Sequence, residues 1–234
     1  NFLAIPIGCA IATLFGMVFE LVIFRKMRKS GASSLMLLIA SLGIYIIFEN
    51  LISLFWGVKT LSLHTGEIEA GRKFFGGYIT DYQIIIIAVS ALLFLLVVTF
   101  LKYSNLGMLI RAVSSNKELA NIFGINSNKV ILKTIAVGST IAAIGGVLMS
   151  FNIGMTPTMG FNLLVFGVVT MILGGIGSTW GLVGGAFLLA TAQHLGAYYI
   201  DSKWMEAIAY IILILFLIWK PLGFSGKRLK KVEI

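Results

Sequence analysis

Three side chains in this 234-residue sequence could carry covalent chemistry: Ser178, His194 and Glu49. A serine activated by a histidine is the reacting pair of many hydrolases, and such a pair can also act inside a membrane. Here the serine stands in the order Gly-x-Gly-Ser, not in the order Gly-x-Ser-Gly expected for such a nucleophile. We therefore predict no catalytic residue and keep an intramembrane enzyme as an alternative of a different class.

Nucleotide and metal chemistry have no matching motif either. The sequence contains no G-x-x-x-x-G-K-[ST] loop, so it carries no ATP-binding motif of its own. The glycine-rich run from Gly175 to Gly181 lacks the spacing of a dinucleotide-binding loop, and no strand is predicted before it. The two histidines and the scattered carboxylates lack metal-ligand spacing. We predict neither a metal nor a cofactor in this chain.

The composition predicts that most of the chain lies in a lipid bilayer. Hydrophobic residues make up 59% of it, charged residues only 12%, and the mean hydropathy is +1.00. Soluble domains carry about 25% charged residues. The formal net charge of +9 could indicate a nucleic-acid partner, but the basic residues are divided among the segments between apolar runs, so we expect none.

Seven apolar segments are candidate membrane spans. They predict an all-α, polytopic helical bundle that forms one domain over residues 1–234. The fifth segment is short and interrupted by glycine, so it either crosses or re-enters. The segments cover residues 3–24, 33–56, 84–101, 130–151, 161–175, 180–200 and 204–219.

The positive charges predict the direction of these spans, because cytoplasmic loops are enriched in Lys and Arg. If all seven segments cross, 14 of the 18 basic residues fall on one side. Four follow the first segment, five lie between the third and fourth, and five follow the last. We therefore expect residues 111–126 and the C-terminus in the cytoplasm.

Residues 111–126 form a polar island between apolar segments, yet they are patterned as a short helix. Ser115 and Glu118 have the spacing of an S-x-x-E capping box, which predicts the start of this helix. Gly124 has the position of the left-handed residue that ends it, followed by the apolar Ile125.

The same short helix has an apolar face, because Leu119, Ile122 and Phe123 fall on one side of it. A helix of about two turns is marginal in water by itself. The pattern therefore predicts that this face docks onto a partner protein.

Four polar positions are candidates for a solute pathway. Glu49 and Asn50 lie well inside the second apolar segment, where a carboxylate costs about 2.5–3.5 kcal/mol on insertion scales. For Asn50 we favour an interhelical hydrogen bond, and for Glu49 a pathway role and a structural role are weighed equally. Thr156 and Asn162 belong to an uncharged polar loop that the charge distribution places outside.

Glycines predict close helix packing in the C-terminal part. Gly177, Gly181 and Gly185 form two successive G-x-x-x-G motifs, which allow backbones to approach in lipid. Gly174 and Gly175, together with Gly177, also predict a sharp turn at membrane depth. The same packing role is assigned to Gly138, Gly145, Gly146 and Gly184.

About half of the chain, from Leu106 to Gly226, resembles the membrane permeases of bacterial ABC importers for branched-chain amino acids. The order and the residues of its motifs are most similar to those of the shorter of the two permease subunits of such systems. Members of that family carry an upstream helical hairpin whose sequence motif does not occur in this sequence. We therefore expect a chain that lacks its first one or two spans. The matching motifs are Leu106-Gly107-x-x-x-Arg111-Ala112, Phe123-Gly-Ile-Asn126, Pro157-x-x-Gly-Phe161, Leu173-Gly-Gly-Ile-Gly-Ser178 with Gly181 and Gly184-Gly185, and Pro221-Leu-Gly-Phe-Ser-Gly226.

The resemblance implies a role for the polar island. In ABC importers a short cytoplasmic coupling helix with an E-A-A…G signature sits in a groove of the ATPase subunit, and Glu118, Ala120 and Gly124 match that signature. It also implies a multi-pass protein of the bacterial inner membrane that works with ATPase subunits, a second permease subunit and an extracytoplasmic solute-binding protein. ATP and Mg would be bound by the ATPase subunits, and the solute would move by alternating access.

The solute is less well defined, because this chain departs from many relatives in three places. It has Phe166 where they carry a lysine, Gln193 where they carry a glutamate, and Trp180 where a proline is often found. Branched-chain or other hydrophobic amino acids are expected. Urea and simple sugars are the alternatives for this class of permease, and a passive channel is the alternative outside it.

Overall fold

The computed structural model describes residues 4–62, 72–74, 77–175, 177–220 and 223–224. In these ranges the chain is helical apart from short connections and one two-stranded antiparallel hairpin. This confirms the predicted all-α class. The chain divides into two compact units, Asn1–Pro157 and Thr158–Ile234.

The helices and strands of the two units follow one another in simple chain order. The first unit contains α1 (Ala4–Phe19), a π-helical turn (Glu20–Phe24), α2 (Arg25–Lys29), α3 (Ser34–Trp56), β1 (Arg72–Phe74), β2 (Gly77–Ile79), α4 (Asp81–Tyr103), α5 (Asn105–Ser115), α6 (Lys117–Ile122) and α7 (Ser127–Ile153). The second unit contains α8 (Met159–Gly174), α9 (Thr179–Tyr199), a 3-10 turn (Ser202–Trp204) and α10 (Met205–Trp219).

Local sequence signals mark where the long helices begin and end. Ser33 caps α3 by accepting the backbone N–H three residues further on, at 3.3 Å. Before α4, the Gln83 side chain reaches back to the Thr80 N–H at 3.2 Å. Gly57 and Gly154 follow the last residues of α3 and α7 with φ of +80° and +78°, a region that a side chain rarely adopts.

Five helical stretches in the described ranges are long and apolar enough to cross a bilayer: Ile5–Lys29, Ser34–Trp56, Asp81–Tyr103, Ser127–Ile153 and Ser202–Trp219. Helices α8 and α9 meet at a bend of 116° and together count as a sixth, broken or re-entrant, span. The predicted count of seven is therefore slightly too high. The 16 residues of α8 extend only about 24 Å, less than the roughly 30 Å of the hydrocarbon core.

Helices α3 and α4 show most clearly that lipid surrounds this fold. Each has 23 residues, and neither contains a buried one. Apolar surface of this extent is not stable in water. In hydrocarbon it is the ordinary lipid-facing surface of a helix whose backbone groups are all bonded internally. The chain is therefore a polytopic membrane protein.

Helix α1 lies along α7 in the first unit. The hydroxyls of Thr13 and Thr140 are 2.7 Å apart and share a hydrogen bond. One turn further along α1, the backbone of Gly16 lies directly against the side chain of Ser139. Close approach and a polar contact together hold this pair of apolar helices.

Aromatic rings attach the other long helices of the first unit. The ring of Phe48 on α3 packs edge-on against Phe15 and Phe19 of α1, with ring centroids 5.5 and 5.2 Å apart. The rings of Tyr82 and Phe151 stack at 6.3 Å and so join α4 to α7. Such aromatic pairs each add about 0.5–1.5 kcal/mol beyond area burial.

The second unit has a small apolar core shared by its three helices. Val169 and Leu173 of α8, Leu189 of α9 and Ala209 of α10 are buried together. After α10 the chain returns to this core, because the N–H of Phe224 donates to the carbonyl of Leu173 at 2.9 Å. The neighbouring positions 221, 222, 225 and 226 of the last sequence motif lie outside the described residues.

Candidate functional site

The polar island folds into the short helix α6, but its N-cap differs from the prediction. Helix α5 continues through Ser115, so that hydroxyl is not at the cap. Asn116 has extended backbone (φ −155°), and its Oδ1 accepts the N–H groups of Glu118 and Leu119 at 3.0 Å each. The predicted Ser115–Glu118 capping box is therefore wrong, because α5 runs further than the sequence pattern indicated.

The predicted end of α6 is confirmed. Gly124 has φ +81°. Its N–H donates to the Asn121 carbonyl at 3.0 Å, and the N–H of Ile125 donates to the Ala120 carbonyl at 2.9 Å. These are the two hydrogen bonds of a Schellman end. Both ends of this six-residue helix are therefore fixed by hydrogen bonds.

One side of α6 is buried and the other carries large apolar side chains. Ala120 is only 5% exposed, whereas Leu119 is 50%, Ile122 78% and Phe123 81% exposed. We call Leu119, Ile122 and Phe123 the docking face. It lies outside the candidate spans. A rigid helix with an uncovered apolar face is a surface suited to a groove on another protein.

The helix before α6 is held tightly against the end of α4. Ser104 caps α5 by accepting the Gly107 N–H at 2.9 Å. A Cβ at Gly107 would overlap the carbonyl oxygen of Leu101, so a side chain does not fit there. The Arg111 guanidinium donates to the same carbonyl and brings positive charge to the C-terminal end of α4. These contacts of Gly107 and Arg111 with the end of α4 explain the Leu106-Gly107-x-x-x-Arg111 motif structurally.

Glu20 is a buried charged residue that the sequence patterns did not single out. Its side chain is 1% exposed, and its carboxylate accepts hydrogen bonds from both terminal nitrogens of Arg28, one of them at 3.1 Å. Residues eight apart lie about 80° apart around a regular α-helix. The π-helical turn between them has more residues per revolution and brings the two side chains together. The available signal was a carboxylate inside an apolar segment just before a basic run.

The four pathway candidates have different surroundings. The Asn50 amide donates to the Ile46 carbonyl of its own helix at 2.8 Å, and the interhelical hydrogen bond favoured for this residue stays a prediction. Glu49, beside it, is half-buried. Thr156 is half-buried in the connection after α7, and Asn162 is exposed in the first turn of α8. A pathway role for these residues stays a prediction.

The glycines predicted to pack helices together fall into two groups, those in close contact with another helix and those with open space around them. A Cβ at Gly181 would overlap the carbonyl oxygen of Gly174, and a Cβ at Gly185 would lie 2.7 Å from that of Thr170. Helices α8 and α9 therefore meet backbone against backbone. Among the described residues, no atom of another helix lies within 4 Å of a Cβ built at Gly138, Gly145, Gly146 or Gly184, so the packing role of these four glycines stays a prediction.

The turn between α8 and α9 also explains Ser178. Gly175 and Gly177 have φ of +93° and +88°. Ser178 then caps α9, its hydroxyl accepting the Gly181 N–H at 3.0 Å. His194 lies 16 residues further along the same helix, about 24 Å along its axis. The serine–histidine pair that an intramembrane enzyme requires is therefore not formed.

Fold and site together define a polytopic helical membrane protein with a short helix outside its candidate spans that is capped at both ends and exposes an apolar face. Residues 1–217 match the family described as branched-chain amino acid transport system, permease component. The chain belongs to this family of ABC transporter permeases, which confirms the resemblance seen in the sequence.

Individual relatives agree with the family assignment. The chain is 32% identical over 222 residues to the high-affinity branched-chain amino acid permease proteins LivH of Salmonella typhimurium and of Escherichia coli K12, a match that covers 93% of this chain and 71% of each relative. It is 31% identical to BraD of Pseudomonas aeruginosa, over 93% of this chain and 72% of BraD. The xylose transport system permease XylH of E. coli is 27% identical over 47% of this chain and 30% of its own length. No solved structure matches the chain.

Proposed function

We propose that this chain is a transmembrane subunit of an ATP-driven importer for branched-chain or other hydrophobic amino acids. Its family and its relatives LivH and BraD support the amino-acid substrate. The chain itself performs no covalent chemistry. ATP and Mg are bound by partner ATPase subunits, since the sequence has no phosphate-binding loop.

The docking face is the observation that carries this proposal. Three large apolar side chains project from a helix that is held rigidly at both ends by the Asn116 cap and the Gly124 turn. An ATPase subunit that covers this face would bind a helix that is already folded, so the entropy lost in ordering α6 on binding would be small. Closure of the ATPases then displaces α6 and drives alternating access.

The distribution of charge supports an orientation in the bacterial inner membrane with the docking face and the C-terminus in the cytoplasm. Basic residues occur in α2, around α6 and after α10. This orientation holds if the bent α8–α9 pair crosses twice or re-enters. A single crossing would move the basic C-terminal run outside, so we assign the pair as a re-entrant loop.

The remaining parts of the transporter follow from the same proposal. A second, similar permease subunit completes the pathway, and an extracytoplasmic solute-binding protein delivers the amino acid. Glu49 and Asn50 on α3, with Thr156 and Asn162, are the polar side chains that we assign to the pathway.

Charge placed on the docking face tests the proposal. In membranes that contain the complete transporter, Ile122→Asp and Phe123→Asp should each weaken retention of the ATPase subunits about 30-fold, which corresponds to roughly 2 kcal/mol at an interface anchor. ATP-dependent leucine uptake should fall with it. Retention is measured by co-purification and uptake with labelled leucine.

Lys117→Asp is the matched control, because it places the same carboxylate on the side of α6 opposite the docking face. It should leave both retention and uptake near their starting values. Full retention and full uptake in both docking-face variants would contradict the proposal.

A simple sugar is the second candidate substrate, supported by the partial similarity to the xylose permease XylH. Uptake of labelled leucine, xylose and urea by cells with the complete transporter separates the candidates. Leucine uptake that requires ATP is the expected result. Xylose or urea uptake without leucine uptake would overturn the amino-acid assignment, and flux without ATP would indicate a channel.

A further inference from the structure

Hydrogen bonds at four successive residues, 124–127, fix the connection between α6 and α7. The N–H groups of Gly124 and Ile125 bond back onto α6, and Asn126 caps α7 with its side-chain oxygen at 3.2 Å. Ser127, the first residue of α7, is 2% exposed. Its N–H and its hydroxyl both donate to Oδ1 of Asn121 on α6, at 3.3 and 2.6 Å.

This contact joins α6 and α7 mechanically. A buried hydroxyl that loses its partner costs about 1–3 kcal/mol. Rotation of α6 away from α7 would separate Ser127 from Asn121 and would also break the bonds of the Schellman end. Any displacement of α6 relative to α7 would therefore have to break these hydrogen bonds.

The other end of α7 is bonded to the segment that follows α3. The N–H of Leu61 donates to the carbonyl of Met155 at 2.9 Å, and the N–H of Met155 returns a bond to Leu61 at 2.8 Å. Gly154 makes this approach possible, since a Cβ there would lie 2.9 Å from the Thr60 methyl. We call these two residues the Leu61–Met155 bridge.

Helix α7 spans the distance between these two attachments without interruption. Its 27 residues extend about 40 Å at 1.5 Å per residue. Helix α1 supports it along the middle through the Thr13–Thr140 contact. A continuous helix that is packed along its side is the kind of rigid element through which a displacement at one end can reach the other.

We infer that α7 carries the displacement of the docking helix to the Leu61–Met155 bridge on the opposite side of the membrane. Asn121 and Ser127 are positioning residues at its inner end, and the bridge is the contact that opens and closes at its outer end. This inference rests on the proposed docking of α6 to an ATPase subunit.

A disulfide across the bridge reports its state. Residues paired by two hydrogen bonds in an antiparallel bridge lie about 5.5 Å apart at Cα, which is within disulfide range. We use Leu61→Cys with Met155→Cys in a Cys9→Ala background, in the complete transporter reconstituted in vesicles. The rate of oxidative cross-linking should differ about fivefold or more between ATP-free vesicles and vesicles with ATP and vanadate.

Two further substitutions test the inner end. Ser127→Ala or Asn121→Ala should abolish this nucleotide dependence while the ATPase subunits remain bound. Asn121→Asp keeps an acceptor oxygen and should restore the dependence, which a general loss of folding would not allow. Asn128→Ala, at the neighbouring position, is the control and should leave the dependence intact.

The outcomes separate the inference from the function on which it rests. The inference would be overturned if the cross-linking rate still depends on nucleotide in Ser127→Ala and Asn121→Ala. It would also be overturned if this rate does not depend on nucleotide when Asn121 and Ser127 are both unchanged. Docking of α6 would still stand in either case if Phe123→Asp releases the ATPase subunits. Retained ATPase subunits and uptake in Phe123→Asp would instead overturn the proposed function.

Discussion

The α1–α7 pair of the first unit and the α8–α9 pair of the second unit both bring apolar helices into close contact, but they do so by different means. In α1–α7 the contact is made through side chains. Thr13 and Thr140 share a hydrogen bond, and Gly16 gives space to the side chain of Ser139. Such a contact can adjust, because a rotamer change moves the atoms that touch.

In α8–α9 the contact is made through the backbone itself. The carbonyl oxygen of Gly174 occupies the place that a Cβ of Gly181 would take, and a Cβ of Gly185 would lie 2.7 Å from the carbonyl oxygen of Thr170. No rotamer change can relieve such a contact. The second unit therefore contains a rigid pair of helices, whereas the helices that we assign to transmission can adjust to one another.

The largest expected effect lies in the side-chain contacts of the first unit, at the buried Glu20–Arg28 pair. Glu20→Ala leaves the Arg28 guanidinium without its partner and should lower the free energy of unfolding by about 3–5 kcal/mol. The double variant Glu20→Leu with Arg28→Leu should recover most of this loss. Reversible unfolding in mixed detergent micelles measures both, and equal losses in single and double variants would contradict the assignment.

The backbone contact of the second unit gives the next largest effect. Gly181→Ala should lower the free energy of unfolding by about 3 kcal/mol, because the added methyl meets the Gly174 carbonyl and neither backbone can move aside. Gly184→Ala has open space around the new methyl and is the matched control. Similar losses in the two variants would show that α8 and α9 do not meet in this way.

A smaller effect is expected where a glycine meets a side chain. Gly16→Ala should cost about 1 kcal/mol, since the new methyl meets the movable Ser139 hydroxyl and lies 3.0 Å from its Cβ. In a Ser139→Gly background the same change should cost little, so a double-mutant cycle should show coupling. If the two substitutions lower the free energy of unfolding additively, Ser139 does not contact Gly16.

The smallest effect concerns the hydrogen bond between α1 and α7. Thr13→Val keeps the shape of the side chain and removes the bond to Thr140, so we expect a loss of about 0.6 kcal/mol. The same unfolding measurement checks it. A loss as large as that of Gly181→Ala would mean that this hydrogen bond, and not side-chain packing, holds the two helices together.

Sequence patterns predicted the features of this fold that depend on a few neighbouring residues. The end of α6 is such a feature, since only a glycine adopts the conformation of Gly124 readily, and the apolar residues around it identify the helix. The apolar segments were also found within a few residues of their observed bounds. Both signals are local, so tertiary structure changes them little.

Features that depend on distant contacts could not be predicted in this way. The cap at Asn116 instead of Ser115 depends on how far α5 extends along α7. The Glu20–Arg28 pair needs a π-helical turn, which the eight-residue spacing does not reveal. G-x-x-x-G spacing likewise does not tell which glycines face a neighbouring helix. Gly177 and Gly181 share one such motif, but only a Cβ at Gly181 would meet the backbone of α8.

Site-directed cross-linking tests the central claim most directly. In the complete transporter with Cys9→Ala, Phe123→Cys places a single thiol on the docking face, and Lys117→Cys places one on the opposite side of α6. A short bifunctional thiol reagent should join the cysteine at position 123, and not the one at position 117, to an ATPase subunit. Absence of that product, or equal products from both positions, would contradict the docking of α6.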